Sequence, residues 1–317
     1  MNTALTITPA DFARSFGITA EEMPPAVHEL IARSDFRYHP LQPQEQDQVI
    51  KGICQKLDTN AFTTVGAHRK EVWEQGWMEN LQEFAQKGYA LEKLVPRFVR
   101  PNPIVRFNQQ FVRAHDPQFE YRFFTVLRLY LFTRYLDGAK VTYEFGCGSG
   151  YNLVALAELH PEMELHGLDW AESSVKLVNL IAQTHHLCLE GRRFDLFAPD
   201  PELKLAPRSV VLTMVALEQV GARFEEFLQF LLRQSPLLCI TMEPLLDLYD
   251  PNNLVDSLAI RYHTQRGYLN GYLARLRQLA DEGRIEVLKI QRLRFGSLYN
   301  EGYSYVVWRP LNNGPRT

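Results

Sequence analysis

Cysteine is scarce: four residues in 317, Cys54, Cys147, Cys188 and Cys239, scattered along the chain. No two form a C-x-x-C pair and no histidine cluster stands at zinc spacing, which argues against a structural metal or a disulfide framework. Unpaired thiols of this kind suit a reducing cytoplasm. An excess of either charge is also missing. Lys and Arg number 34 against 37 Asp and Glu, a net charge of −3, so no global basic field draws in nucleic acid. Long hydrophobic runs are absent. The most apolar stretches, such as 236–240, fall far short of the roughly 20 residues that span a bilayer. Residues 1–10 lack the basic-then-apolar layout of a secretory signal. The expected setting is the cytoplasm, with no membrane, nucleic-acid or metal partner. Repeats and low-complexity segments are absent too.

What is present is the ordinary balance of a globular chain with a core, 46% hydrophobic and 22% charged. The length favours two units. Residues 1–139 read as a helical region. Thr8-Pro9-Ala10-Asp11 is a helix start, with a hydroxyl cap, a proline in the first turn and an acid at the positive end. Val49, Ile50, Ile53 and Leu57 repeat at helical spacing, 71–85 reads as a helix, and 119–136 reads as a buried one. Pro96 and Pro103 bracket a break that also holds Arg97 and Arg100, with Arg106 and Arg113 beyond it. These arginines could form an anion site, but a solvated surface is the favoured reading. Trp73 and Trp77, one helical turn apart, could line a pocket, with core packing favoured.

From residue 140 to 310 the pattern changes to alternation. Strands are predicted at Val141–Phe145, Glu164–Asp169, 193–197, 209–215 and 237–242, with helices over 153–159, 174–184, 224–232, 254–263 and 268–282. Two last strands, 285–294 and 303–309, have no helix between them and should form an antiparallel hairpin. This predicts a doubly wound, mostly parallel α/β sheet with helices on both faces, an N-terminal helical region beside it, and a frayed tail over 311–317.

Three glycines alternate between the first strand and the first helix, in Tyr143-Glu144-Phe145-Gly146-Cys147-Gly148-Ser149-Gly150. Glycine there permits a tight turn and close approach of a ligand to backbone. A dinucleotide fingerprint would carry its third glycine at position 151, which is Tyr151. The second strand ends in Leu168-Asp169-Trp170, an acid able to accept both hydrogens of a ribose diol and a ring able to lie against a base. In these segments the chain resembles the class I S-adenosylmethionine (SAM)-dependent methyltransferases, whose first motif is an acid, an apolar residue and then G-x-G-x-G. The resemblance covers about 140 to 310 and implies a seven-stranded sheet ending in that hairpin. It implies SAM as cofactor and S-adenosylhomocysteine (SAH) as product. It assigns cofactor binding to Glu144, Gly146, Cys147, Gly148, Gly150 and Asn152, to Asp169 and Trp170, to Asp195 and Leu196 after the third strand, and to Val215 and Glu218 after the fourth. Gln219 stands where the family often has a histidine, which excludes a histidine base at that point.

The methyl acceptor should meet the C-terminal ends of the strands. That selects Gln219, Tyr299 and Glu301 as substrate contacts. Glu243, after the fifth strand, and His263, in the polar stretch with Arg266 and Tyr268, are candidate acid–base residues. No N/D-P-P-Y/F segment follows the fourth strand and no Pro-Cys occurs, which lowers nucleic-acid substrates. The expected function is methyl transfer to oxygen or nitrogen of a small molecule, compatible with metabolite or glycan biosynthesis. The N-terminal region would serve as a lid or acceptor-recognition element. A homodimer is compatible with this reading. The rivals are a SAM-binding scaffold without turnover, a protein or RNA methyltransferase, and an NAD-linked oxidoreductase.

Overall fold

The Thr8 start behaves as its chemistry requires. In the computed structural model, which describes residues 4–96 and 101–311, the Thr8 hydroxyl accepts from the Asp11 N–H and the Asp11 carboxylate accepts from the Thr8 N–H at 2.8 Å. This capping box opens α1 (Pro9–Phe16). Then come α2 (Pro25–Ala32), α3 (Pro43–Asp58), α4 (Lys70–Gln86) and the buried α5 (Phe119–Tyr135). Arg97, Arg100 and the tail from 312 onward lie outside the described residues.

The N-terminal region is not helical alone. Strands β1 (Leu5–Thr6), β2 (Arg37–Pro40), β3 (Ile104–Phe107) and β4 (Gln110–Ala114) make an antiparallel sheet in the order β1-β2-β4-β3. They are two to five residues long, too short for a period of two to stand out against helical spacing. The β3–β4 turn is Asn108-Gln109, both at positive φ, 49° and 61°. That is the geometry favoured for tight hairpins, but without the glycine that announces one in sequence.

The large sheet contains β5 (Val141–Phe145), β6 (Glu164–Asp169), β7 (Leu189–Arg193), β8 (Val210–Met214), β9 (Leu238–Met242) and β10 (Ile285–Gln291). After the two-residue β11 (Phe295–Gly296) comes β12 (Tyr305–Pro310), and the order is β10-β12-β9-β8-β5-β6-β7. Strands β5 to β9 pair in parallel, and β12 runs antiparallel to both its neighbours. The seven-stranded doubly wound sheet and its terminal hairpin are as expected. The third strand lies four residues earlier than predicted. On this edge strand Glu190, Arg192 and Arg193 are exposed, and the polar face masks the strand signal.

Helices α6 (Tyr151–Leu159) and α7 (Glu172–His185) cover one face of the sheet, and α8 (Glu225–Gln234) and α10 (Tyr272–Asp281) the other, with α9 (Leu254–Arg266) between α8 and α10 in the chain. The first face shares one core with α1, α2 and α5. Phe16 stacks on Tyr130 at 4.5 Å and Phe123 on Phe295 at 3.7 Å.

The hairpin between β10 and β12 has a longer connection than a simple turn. Its middle forms β11, which pairs with β3 of the small sheet, Phe295 opposite Phe107 and Gly296 opposite Arg106. Buried charge reinforces this junction. Arg292 bridges Asp256, at the start of α9, and Glu301, each at 2.7 Å, and donates to the Leu248 carbonyl at 2.8 Å. Gln109 donates to Asp256 at 2.9 Å. Arg106, read from sequence as a surface residue, is 1% exposed and donates to the carbonyls of Val255 and Leu298. Arg113 remains at the surface, paired with Glu45 at 2.9 Å. Removing the shared cation would strand two buried carboxylates. Arg292→Ala is expected to cost about 3–5 kcal/mol in denaturant unfolding; a loss under about 1 kcal/mol would contradict this clamp.

Candidate active site

The glycine loop begins where β5 ends. Gly146, Gly148 and Gly150 all take left-handed φ, 74°, 54° and 72°, a region that side chains avoid. Space excludes side chains as well. A Cβ on Gly146 would fall 2.4 Å from the Ala216 methyl, and one on Gly148 would fall 2.6 Å from the Trp77 ring. Gly150 caps α6 and packs toward Val178.

Two buried carboxyls flank this loop. Asp169 accepts from the Gly148 N–H and from the Ala171 N–H, both at 2.9 Å. Burial lifts it to about 6, against the pull of those donors. Glu144 accepts from the Asn152 amide at 2.6 Å, and its second oxygen has no partner. Burial raises it to about 8.

Above the loop opens a cavity of about 960 Å³, counted to its open mouth. Glu144, Gly146, Cys147, Gly148 and Asn152 line its floor, and Asp169, Trp170 and Leu196 line one end. Val215 and Gln219 line the wall after β8. Ten of the residues selected from sequence therefore share one space. Trp170 stacks on Phe197 at 5.6 Å, and the Lys70 ammonium lies 5.5 Å from its ring.

Other selected residues do not line the cavity. Asp195 pairs with Lys70 and accepts from the Phe197 N–H. Glu218 is buried behind Gln219, whose amide donates to it at 2.7 Å. Glu243 is fully buried and turned toward the neighbouring loop, where it accepts from the N–H groups of Ala216, Leu217 and Glu218 at 3.0, 2.8 and 3.1 Å. That geometry makes it a backbone clamp rather than an acid–base group facing an acceptor. His263 is buried beside Tyr249, 3.4 Å from its hydroxyl, and burial lowers it to about 3. It stays neutral and away from the cavity. Tyr299 stacks on Tyr262 and accepts from Lys56 at 2.9 Å, along a separate shallow groove. Glu301 is consumed by Arg292. Strand-end position selected Glu243 and Glu301 correctly in height, but says nothing of side-chain direction.

The cavity also gathers residues that sequence left elsewhere. Trp73 and Trp77, expected in the core, both line it, stacked at 5.8 Å. Their helix, α4, is pinned over the loop because Glu74 accepts from the N–H groups of Glu172 and Ser173 at the start of α7. Phe124 and Tyr303 line the cavity too, and the Tyr303 hydroxyl donates to Glu120 at 2.9 Å. Burial raises Glu120 to about 7. Their one advance signal was aromatic content. Among the described residues no cluster could hold a metal ion, and no helix is long and apolar enough to cross a membrane.

No family model and no curated protein matches the chain. Among solved structures, PigF with SAH is similar at 13% identity, covering 95% of this chain and 89% of that one, with a TM-score of 0.47. The methyltransferase domain of bacterial CtHen1 is similar at 16% identity over 58% of this chain and 98% of its own, TM-score 0.44. The dimethyltransferase RosA from Streptomyces davawensis follows at 11% identity, 75% and 69% coverage, TM-score 0.40. These likenesses are distant; within the chain itself, the sheet has seven strands with β12 alone reversed, and the glycine loop faces Asp169. The fold is a doubly wound, mostly parallel seven-stranded α/β sheet with one reversed strand next to its edge. Within this fold Glu243 shapes the wall after β8. Glu243→Ala would leave three buried N–H groups without an acceptor. Thermal and urea unfolding should register a loss of at least about 2 kcal/mol; wild-type stability would contradict the clamp.

Proposed function

We propose that this chain is a SAM-dependent methyltransferase acting on oxygen or nitrogen of a small molecule. The observation that carries the reading is Asp169, held by two backbone N–H groups at the end of β6 and lining a cavity beside Trp170. Its remaining lone pairs are free for a ribose diol. Trp170 offers a ring face for adenine, beside Leu196. At the other end of the glycine loop the unpaired oxygen of Glu144 suits the ammonium of a methionyl group. The Gly148 site, where no Cβ fits, brings backbone close to the ligand. The residues present therefore fit SAM, which when bound supplies an electrophilic methyl on sulfur.

The chain's own contribution is alignment and exclusion of water. Trp73 and Trp77 roof the cavity, and the Glu74 cap holds that roof in place. One polar group on the wall is the Tyr303 hydroxyl, backed by Glu120. As the acceptor's hydroxyl or amine proton moves to the Tyr303 oxygen, the Tyr303 proton moves to an ionised Glu120, so Tyr303 stays neutral and Glu120 ends protonated. The aromatic-walled cavity favours a small acceptor over a folded protein or an RNA helix.

Two measurements test this reading. Asp169→Ala should retain the wild-type circular dichroism spectrum and lose SAM affinity by about a hundredfold or more, which at about 1.4 kcal/mol per decade is within reach of two charge-assisted hydrogen bonds. Near-normal affinity by calorimetry would sink the assignment. The second concerns Glu144, raised to about 8 and so mostly protonated at pH 7. A cation arriving beside it favours the ionised form, so binding must release protons and affinity must rise as pH climbs from 6.5 to 8.5. Titrations in buffers of different ionisation enthalpy should report proton release; proton uptake or none would contradict the ammonium placement.

A further inference from the structure

Beside the cavity the protein gathers polar atoms that the fold does not satisfy. The Arg69 guanidinium lies over the Trp73 ring at 5.4 Å, and that of Arg266 over Tyr268 at 4.9 Å. Arg69 sits just before α4, and Arg266 ends α9. The two segments touch, because the Val65 N–H donates to the Arg266 carbonyl at 2.8 Å. Burial, and with it the nearby Arg266 charge, pulls Arg69 below the usual arginine range. Among the described residues neither guanidinium has a carboxylate within ion-pair distance. Arg223 lies over the Phe197 ring at 4.2 Å, also without one among the described residues.

Three donors here, Arg69 Nε, Arg266 Nε and Trp73 Nε1, are buried without a partner, as is one acceptor, Gln219 Oε1. Trp73 and Gln219 line the cavity. The nearby acid is Glu218, whose Oε1 is occupied by the Gln219 amide. Burial raises Glu218 to about 7, so at neutral pH it offsets less than one of the two arginine charges. Like charges facing each other with unfilled donors are costly in a partly desolvated place, and a bound anion removes that cost. Arginine is also the side chain whose planar fork matches phosphate and carboxylate oxygens.

We infer that the methyl acceptor carries an oxyanion, a phosphate ester or a carboxylate, held between Arg69 and Arg266, with Gln219 accepting from a hydroxyl or amine of the same molecule. This rests on the methyltransferase reading of the cavity. The site's cavity-lining members, Trp73 of α4 and Gln219 after β8, belong to other segments than Glu144 of β5 and Asn152 of α6, the proposed methionyl end of SAM.

The test uses the full chain with inorganic phosphate and acetate as probes. Affinity for SAH is measured first, then each probe is titrated into the SAH-saturated protein at constant ionic strength, with chloride as control. Phosphate or acetate should bind and raise the melting temperature, and the stronger of the two identifies the oxyanion. Arg69→Gln and Arg266→Gln should each weaken that binding about tenfold or more, the loss of one charge-assisted contact. Arg69→Lys should retain part of it, and SAH affinity should stay within about twofold in each variant. The lysine variant and the SAH titration guard against a simple loss of fold. Absence of anion binding to the wild type, binding indifferent to both substitutions, or SAH affinity falling in step with anion affinity would each overturn the inference. A wild-type protein that binds phosphate through these arginines but not SAH would overturn the cofactor reading instead.

Discussion

The rest of the site depends on the hydrogen bonds of one buried carboxylate. Asp169 joins the glycine loop, through the Gly148 N–H, to the start of the β6–α7 connection, through the Ala171 N–H. Both donors are backbone groups, so the carboxylate registers two main-chain segments against each other without depending on a mobile side chain. The loop it holds is also constrained from above, since Trp77 leaves no room for a Cβ on Gly148. Asp169 thus anchors the floor and end wall, while the Glu74 cap anchors the roof.

Two other buried charge clusters do the same work further out. Glu243 gathers three successive N–H groups at the turn after β8, which fixes the wall bearing Val215 and Gln219. Arg292 draws Asp256 and Glu301 together and ties the β10–β12 connection to α9. Through β11 that connection also reaches the small N-terminal sheet. The N-terminal segments are therefore packed into the same core as the large sheet, and they bring α4 and α5 to the cavity. Rigid, clamped walls around a preformed space are what alignment of a donor and an acceptor requires.

Features set by local chemistry were legible in the sequence. The glycine spacing, the acid before it, Asp169 and Trp170 lie at fixed offsets from strand ends, and the strand alternation follows from hydrophobic pattern. Features set by distant partners were not. Tyr303 meets Glu120 across 183 residues, and nothing near either residue announces the other. The pair Trp73–Trp77 showed its helical spacing but not the loop it roofs. Glu243 and Glu301 follow strand ends and His263 lies in the last turn of a helix, yet each side chain is turned toward interior partners that position along the chain does not reveal. The strands β1 to β4 escaped because they are short and their hairpin turn, Asn108-Gln109, lacks glycine. Arg106 escaped because a buried arginine is uncommon and its acceptors are backbone carbonyls of remote segments.

The central claim is that the cavity over the glycine loop is built for SAM in one orientation. A crystal structure of the protein soaked or grown with SAH tests it most directly. The account predicts the ribose hydroxyls within hydrogen-bond distance of Asp169, adenine against Trp170, the ammonium beside Glu144, and sulfur facing the Tyr303 wall. SAH bound in the reverse orientation, SAH elsewhere on the protein, or an empty cavity at saturating SAH would contradict it.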